Sequence, residues 1–370
     1  MNEDNVWKCA AIDHGVTIFP NGKIGPCCQI QSDYLKPISV INDPNRFSDL
    51  KTPIESPPAA CILCTNNEAR GVESYRKQYQ PSDNLPGIKY VDIRNTNLCN
   101  IKCRTCGPHF SNKWAEELGL SVTIKNQSVN EHLELLLTNS LEKIYFTGGE
   151  PMISRDHWHI LETLIKSGLS KNIKLMYNTN LTLLKFKDKD IIDIWNQFNH
   201  VTINCSIDAL GKPLEYIRSG TSWQDVSQNI DRLIKLDKNK FTVIISPTIG
   251  ILNIWFLREL AEFAYNNNLM FRPILMDGPH FLEISVIPDS LKEQALEQLQ
   301  LADSYGVMPD GVTDVLKNKI INNLNSHLFD HTVRHVLLLD SIRNEKLFDL
   351  LPFKQHALDN TIHWFAEYDT

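Results

Sequence analysis

What this 370-residue sequence has little of narrows its function before any motif is considered. No uninterrupted apolar stretch reaches membrane-spanning length. The most apolar long run, Val243 to Leu257, is broken by Ser246, Pro247, Thr248, Gly250 and Asn253, whereas a spanning helix needs about 20 consecutive apolar residues. The opening MNEDNVWK carries neither the basic nor the apolar region of a signal peptide, so the expected setting is the cytoplasm. Neither sign of charge dominates: 37 Lys and Arg stand interspersed against 44 Asp and Glu, for a net charge of -7. That balance argues against a nucleic-acid surface. There is no internal repeat and no low-complexity tract. No cysteine follows Cys205, which removes thiol-bound metal from the C-terminal part of the chain.

The cysteines that are present are concentrated. Eight of the nine, at 9, 27, 28, 61, 64, 99, 103 and 106, lie in the first third of the chain. An odd, clustered set without a secretion signal points to metal rather than to disulfides. Within Tyr90 to Trp114, YVDIRNTNLCNIKCRTCGPHFSNKW, Cys99, Cys103 and Cys106 form a C-x3-C-x2-C triplet directly after a run that reads as a strand. Three thiolates in one short loop hold a soft-metal centre and leave one coordination place for a ligand that is not cysteine. Thr147-Gly148-Gly149-Glu150-Pro151 follows the next apolar run. Its glycines let the backbone approach a ligand closely, and Glu150 offers a carboxylate to an ammonium. The plainer alternatives for the triplet are a structural zinc site, with His109 as fourth ligand, or buried thiols alone.

The triplet and the Gly-Gly-Glu-Pro motif together resemble the radical S-adenosylmethionine (radical SAM) superfamily. The resemblance implies a 4Fe-4S cluster on Cys99, Cys103 and Cys106, whose open iron is chelated by the amino and carboxylate groups of S-adenosylmethionine, with Glu150 on the amino group. It also implies reductive cleavage of S-adenosylmethionine to methionine and a 5'-deoxyadenosyl radical, with reduced flavodoxin or a ferredoxin-type protein as electron donor. Most members carry an aromatic residue before the third cysteine, near the adenine; this chain has Thr105.

Residues 1–80 read as a small, loop-rich module. Cys9, Gly22 and Cys27 stand as C-x12-G-x4-C, and Val16 to Phe19, Pro20-Asn21-Gly22-Lys23 and Ile24 read as a hairpin that brings Cys9 and Cys27 together. After TPIESPPAA comes Cys61-Ile-Leu-Cys64. These four thiols resemble the auxiliary-cluster modules called SPASM and twitch domains, which the family normally places after the barrel. The resemblance implies an auxiliary 4Fe-4S cluster on Cys9, Cys27, Cys61 and Cys64. Cys28 is an alternative to Cys27, which has the spacing to Gly22, and a four-cysteine zinc site satisfies the same pattern. Glu68 to Gln80 reads as a polar helix and residues 81–87, PSDNLPG, as a linker.

From Ile88 onward, apolar runs alternate with amphipathic stretches, the rhythm of a parallel sheet with crossover helices. Strands are expected at about 88–94, 142–147, 172–178, 200–206, 241–247 and 270–275, and helices at about 110–118, 129–138, 156–167, 187–197, 222–235 and 253–266. The fold class is α/β. Residues 88–285 match the partial (β/α)6 TIM barrel that the resemblance implies, preceded by the 1–80 module and followed by a helical extension over 286–370. In such a barrel the site forms at the C-terminal strand ends. There the motifs fall: Cys99 follows the first strand, Gly148 ends the second, Asn178 the third, and Ser206 and Asp208 the fourth.

By resemblance, Ser206 and Asp208 are ribose and substrate contacts, Asn178 is a further candidate, and Arg218 pairs with the S-adenosylmethionine carboxylate, a task that suits a bidentate guanidinium. Turn chemistry around Asn178 and a surface role for Arg218 are the alternatives. Arg272, Asp277 and His280 are candidate substrate contacts after the sixth strand, and Cys205 reads as a small core residue. Beyond 285, PDSLKEQALEQL with Asp289 as N-cap, VTDVLKNKIINNLNSHL, DHTVRHVLLLDSIR and LFDLLPFKQHALDNTIHWFAEY read as packing helices, with Phe353, Trp364, Phe365 and Tyr368 in the core. The expected activity is that of an oxidoreductase. Hydrogen is abstracted from a peptide side chain or a small polar metabolite, and an auxiliary cluster assists net oxidation or bond formation. A zinc-stabilised binding or regulatory protein on the same scaffold is the competing class.

Overall fold

The computed structural model describes residues 7–53, 55–69, 73–83, 85–120, 136–345 and 351–352. The N-terminal part contains α1 (Ala10–His14), β1 (Gly15–Ile18), β2 (Lys23–Gly25), β3 (Lys36–Pro37), α2 (Ile62–Ala69) and α3 (Tyr75–Gln78). Then follow β4 (Tyr90–Ile93), β5 (Lys102–Cys103), α4 (Asn112–Glu117), β6 (Lys143–Phe146), α5 (Arg155–Lys166), β7 (Lys174–Thr179), β8 (Lys185–Phe186), β9 (Lys189–Asp190), α6 (Ile191–Trp195) and β10 (His200–Cys205). The chain continues through α7 (Gly211–Ile217), β11 (Arg218–Ser219), α8 (Trp223–Ile234), β12 (Phe241–Ile245), β13 (Thr248–Ile249), α9 (Leu257–Asn266), β14 (Met270–Phe271) and β15 (Ile274–Leu275). Three helices close it: α10 (Lys292–Asp303), α11 (Val312–Asn322) and α12 (Phe329–Arg343).

The main sheet has nine strands in the order β14-β12-β10-β7-β6-β4-β1-β2-β3. Strands β4, β6, β7, β10, β12 and β14 pair in parallel, which gives the six-stranded partial barrel. Alternation along each strand separates two faces. Ile144, Phe146, Leu175, Tyr177, Val201, Ile203 and Cys205 are buried on the helix side. There Phe146 meets His157 of α5 edge-on at 4.7 Å and Tyr177 lies 5.2 Å from Trp195 of α6. The opposite face carries Asp92, Tyr145, Met176, Asn178, Thr202 and Asn204 into the lumen.

The expected hairpin is present, but its first strand does more than turn. β1 pairs in parallel with β4, from Gly15 opposite Tyr90 to Ile18 opposite Ile93. The N-terminal module therefore extends the barrel wall and covers the open edge of β4, whose backbone donors and acceptors would otherwise lack partners. Gly15 permits this fit, because a Cβ there would stand 2.4 Å from the carbonyl oxygen of Pro26.

Several boundaries differ from expectation for local reasons. In place of one helix over Glu68 to Gln80 there are α2, which starts at Ile62, and the short α3, with Glu68 of the first paired to Arg76 of the second at 2.5 Å. The helix expected from residue 187 begins at Ile191, where Asp190 Oδ1 accepts from Ile192 N at 3.1 Å, and β8 and β9 form a small hairpin before it. The fifth and sixth strands each break in two around Pro247 and Pro273, which have no N–H for the ladder; β13 and β15 then pair with each other. Asp289 does not cap α10. It opens a single 3-10 turn, and its carboxylate lies 2.7 Å from Lys292 Nζ. The helix expected at 129–138 falls outside the described residues except for 136–138, and the last expected helix, with Phe353, Trp364, Phe365 and Tyr368, lies outside them apart from 351–352. Among the described residues, no helix is long and apolar enough to cross a membrane.

Candidate active site

The loop after β4 is pinned on every side. Cys99 N donates to Asn112 Oδ1 at 2.8 Å, Cys106 N to the Cys103 carbonyl at 3.0 Å, and Trp114 Nε1 to that same carbonyl at 2.7 Å. Cys103 lies on β5, opposite Arg218 of β11. The Gly148-Gly149 pair packs closely against this loop. A Cβ on Gly149 would stand 2.1 Å from the Leu98 carbonyl oxygen, and Gly148 has φ +103 with Thr96 O 2.9 Å from its Cβ position. Backbone bonds seal the contact: Gly149 N to Thr96 O at 3.0 Å and Glu150 N to Leu98 O at 2.7 Å.

Glu150 is buried, and three donors fix its carboxylate: Asn180 N at 2.8 Å, Thr179 Oγ1 at 2.8 Å and Met152 N at 3.2 Å. Burial nevertheless outweighs them and pushes its pKa up to about 7, as desolvation of a carboxylate does. Arg218 is buried at the end of α7 and is no surface arginine. Its Nη1 reaches Cys103 Sγ at 3.7 Å, and its Nε stands 2.8 Å from Asp208 Oδ2, an ion contact without hydrogen-bond alignment. Asp208 Oδ1 accepts from Thr248 N at 2.8 Å. Burial raises all three thiols, Cys99 to about 11, with Glu150 and Cys106 adding to it; Arg218 works the other way on each.

Other candidate positions separate. Asn178 sits half-buried in register with Asn204, and Ser206 N donates to Thr179 O at 2.9 Å, so both lie at the strand ends facing the same opening. Asn180, in the same polar stretch as Asn178, donates through Nδ2 to Asn100 Oδ1 at 2.9 Å and ties the third strand to the cysteine loop. His109 is exposed and Thr105 is half-buried. Asp277 is exposed, and the exposed His280 ring instead pairs with Glu283 at 2.5 Å. Cys205 is buried in the core.

At the opposite, N-terminal ends of the strands Lys143 is half-buried at the start of β6, and Lys174, at the start of β7, is exposed, as is Arg272 after β14. Lys143 lies in register between Tyr90 and Lys174, its ammonium 5.5 Å from the Tyr90 ring centroid. Burial, then the charges of Arg272 and Lys174, hold its pKa below the ordinary lysine value.

Cys9, Cys27, Cys61 and Cys64 line one cavity together with Trp7, Tyr75 and Arg76, whereas Cys28 is absent from that lining. Cys28 Sγ instead accepts from Gln29 Nε2 at 3.8 Å, and Arg94 pairs with Asp92 at 2.5 Å. Among the described residues, no three His, Cys, Asp or Glu side chains gather tightly enough to hold a single metal ion. Zinc places its sulfurs about 2.3 Å from one point, whereas cluster thiolates are spread over separate irons. A loop of three half-buried thiols beside an arginine and a fixed carboxylate fits a cluster with one open iron.

A partial parallel barrel with this loop at its mouth defines a class, and the comparison with family models agrees: residues 93–264 match the family described as Radical SAM superfamily, so the chain carries a radical SAM domain. Among individual relatives, it is 28% identical to the GTP 3',8-cyclase of Campylobacter lari over 48% of this chain and 52% of that protein. It thus spans about half of that relative's length. It is 25% identical to the GTP 3',8-cyclase of Actinobacillus pleuropneumoniae over 68% of each chain. A solved structure titled TYW1 with a lysine-pyruvate adduct bound is 13% identical, with a TM-score of 0.32 over 59% of this chain and 71% of that one.

Proposed function

We propose that this protein is a radical SAM enzyme that generates a 5'-deoxyadenosyl radical and abstracts hydrogen from a small polar substrate. One observation carries the reading: Arg218 stands between a loop thiol and Asp208, facing the buried Glu150 carboxylate across the same opening. When bound, the cluster on Cys99, Cys103 and Cys106 supplies the electron that cleaves the carbon–sulfur bond of S-adenosylmethionine. The chain's own work is placement. Glu150 offers its carboxylate to the amino group, Arg218 its fork to the carboxylate, and Asn178, Ser206 and Asp208 border the path toward ribose and substrate.

The four thiols around the N-terminal cavity suit an auxiliary 4Fe-4S cluster of the SPASM or twitch kind, with Cys27 rather than Cys28 as ligand. An acceptor there favours net oxidation or bond formation, an oxidoreductase outcome. Two relatives named for cyclising GTP favour a small metabolite over a peptide side chain. The partner that fits is a reduced flavodoxin or ferredoxin-type donor in the cytoplasm.

The test is anaerobic reconstitution followed by reduction with S-adenosylmethionine present. Wild type should release 5'-deoxyadenosine, and Cys103→Ala should lose at least about 100-fold of it, because an iron has lost its thiolate. Undiminished product from the variant ends the assignment. About eight irons with matching sulfide support both clusters, and two zincs per chain in a colourless protein support the zinc-stabilised alternative.

A further inference from the structure

Asp340 and Arg343, in the last turn of α12, reach the cysteine loop and the helix behind it. Arg104, between Cys103 and Cys106, has a side chain with 0% exposure. Its guanidinium lies 3.7 Å from the Tyr216 ring centroid, and its Nε donates to the Tyr216 carbonyl at 3.0 Å. Nη1 reaches the Val336 carbonyl at 3.3 Å, while Nη2 pairs with Asp340 and with Glu345 Oε2 at 2.6 Å. The Arg104 carbonyl in turn accepts from His335 Nε2 at 3.1 Å. A second set of contacts runs parallel to the first. Trp114, whose indole holds the Cys103 carbonyl, stacks on His335 and lies under Arg343 at 4.7 Å. Arg343 pairs with Glu117 at 2.8 Å, and Glu117 also holds Lys102, the residue before Cys103.

We infer that α12 forms one wall of the cluster site and that Arg104 is a positioning residue, holding Cys103 and Cys106 in place through Asp340 and Glu345. The inference rests on the triplet being the cluster site. The residues on either side of Cys103 both end in ion pairs, so the thiol's backbone is fixed from outside the loop. The network also balances its charge: Lys102, Arg104 and Arg343 face Glu117, Asp340 and Glu345. It therefore acts by geometry and adds no net charge beside the metal. A buried guanidinium keeps its charge, so losing the carboxylates leaves it without counter-charge and drives the loop to rearrange.

The test uses the full chain without metal as well as reconstituted. In the Asp340→Asn, Glu345→Gln double variant, which keeps side-chain shape, alkylation of Cys103 followed by mass spectrometry should run at least about tenfold faster than in wild type, with buried Cys64 and Cys205 unchanged. The reconstituted variant should show altered g-values for the reduced cluster and faster loss of iron to a chelator. Arg104→Met should behave alike, and Arg104→Lys should recover most of the wild-type protection. Labelling of Cys103 that stays at the wild-type rate, or that rises together with Cys64 and Cys205, overturns the inference. The alkylation needs no cluster, so its failure is separable from that of the radical SAM reading, which shows as absent 5'-deoxyadenosine in wild type.

Discussion

At the scale of single residues, the site is decided by atoms that are missing and by charges that burial suppresses. Gly149 has no Cβ, and any side chain there would press on the Leu98 carbonyl, so the strand end and the loop cannot both keep their places. Gly149→Ala should cost about 1–3 kcal/mol, the usual range for overpacking, and urea melts of the metal-free protein will measure it; iron uptake at the triplet should fall with it. His157 is a second case. It is buried between α5 and the sheet, bonded to Tyr177 OH at 2.9 Å, and burial lowers its pKa to about 3. The ring is neutral in the folded state while the unfolded chain takes up a proton near pH 6.5. Its share of stability is complete above pH 6.5 and is lost as pH falls from there toward 3. Between pH 7 and pH 5 that share is about 2 kcal/mol, so His157→Gln should lose less stability than wild type over the same interval in paired urea melts.

At the scale of elements, β1 is the piece whose importance local sequence conceals. Its apolar alternation and the Asn21-Gly22 turn announce a hairpin, because both signals lie within ten residues. Its parallel pairing with β4 depends on residues some seventy positions later and has no local signature. The same division runs through the rest of the chain. The C-x3-C-x2-C spacing and the period-two strands were legible, since three thiols or one face can be counted along the chain. The clamp on Arg104 was not, because its partners Val336 and Asp340 lie 232 and 236 residues away. The same distance in sequence made DHTVRHVLLLDSIR read as a packing helix. The two strand breaks have a local signature in Pro247 and Pro273, which interrupt otherwise continuous apolar runs. From the pairing of β1 follows a prediction about truncation. A chain beginning at Leu85 would bare the β4 edge and should aggregate in size-exclusion chromatography, since an open flat strand edge recruits other strands. A soluble monomeric product would show that the N-terminal module is dispensable for the barrel.

At the scale of the whole molecule, two cysteine centres are built on one continuous sheet yet draw on different elements. The triplet hangs from the C-terminal end of β4 and is braced by α12. The N-terminal four line a cavity formed around α1, the turn after β2, and α2. What joins them is the pairing of β1 with β4, from Gly15 opposite Tyr90 to Ile18 opposite Ile93. If the two centres divide the labour, one starting the radical and the other receiving an electron, they can be removed separately. Cys61→Ser with Cys64→Ser should take away about half of the reconstituted iron, because each cluster holds four. Release of 5'-deoxyadenosine from S-adenosylmethionine alone should stay within about threefold of wild type, since every residue proposed to touch that cofactor lies on the other centre. The measurement pairs an iron count with product chromatography on the same sample. Loss of 5'-deoxyadenosine in step with the iron would mean that the N-terminal thiols are needed to form the first radical, and that one centre cannot work without the other.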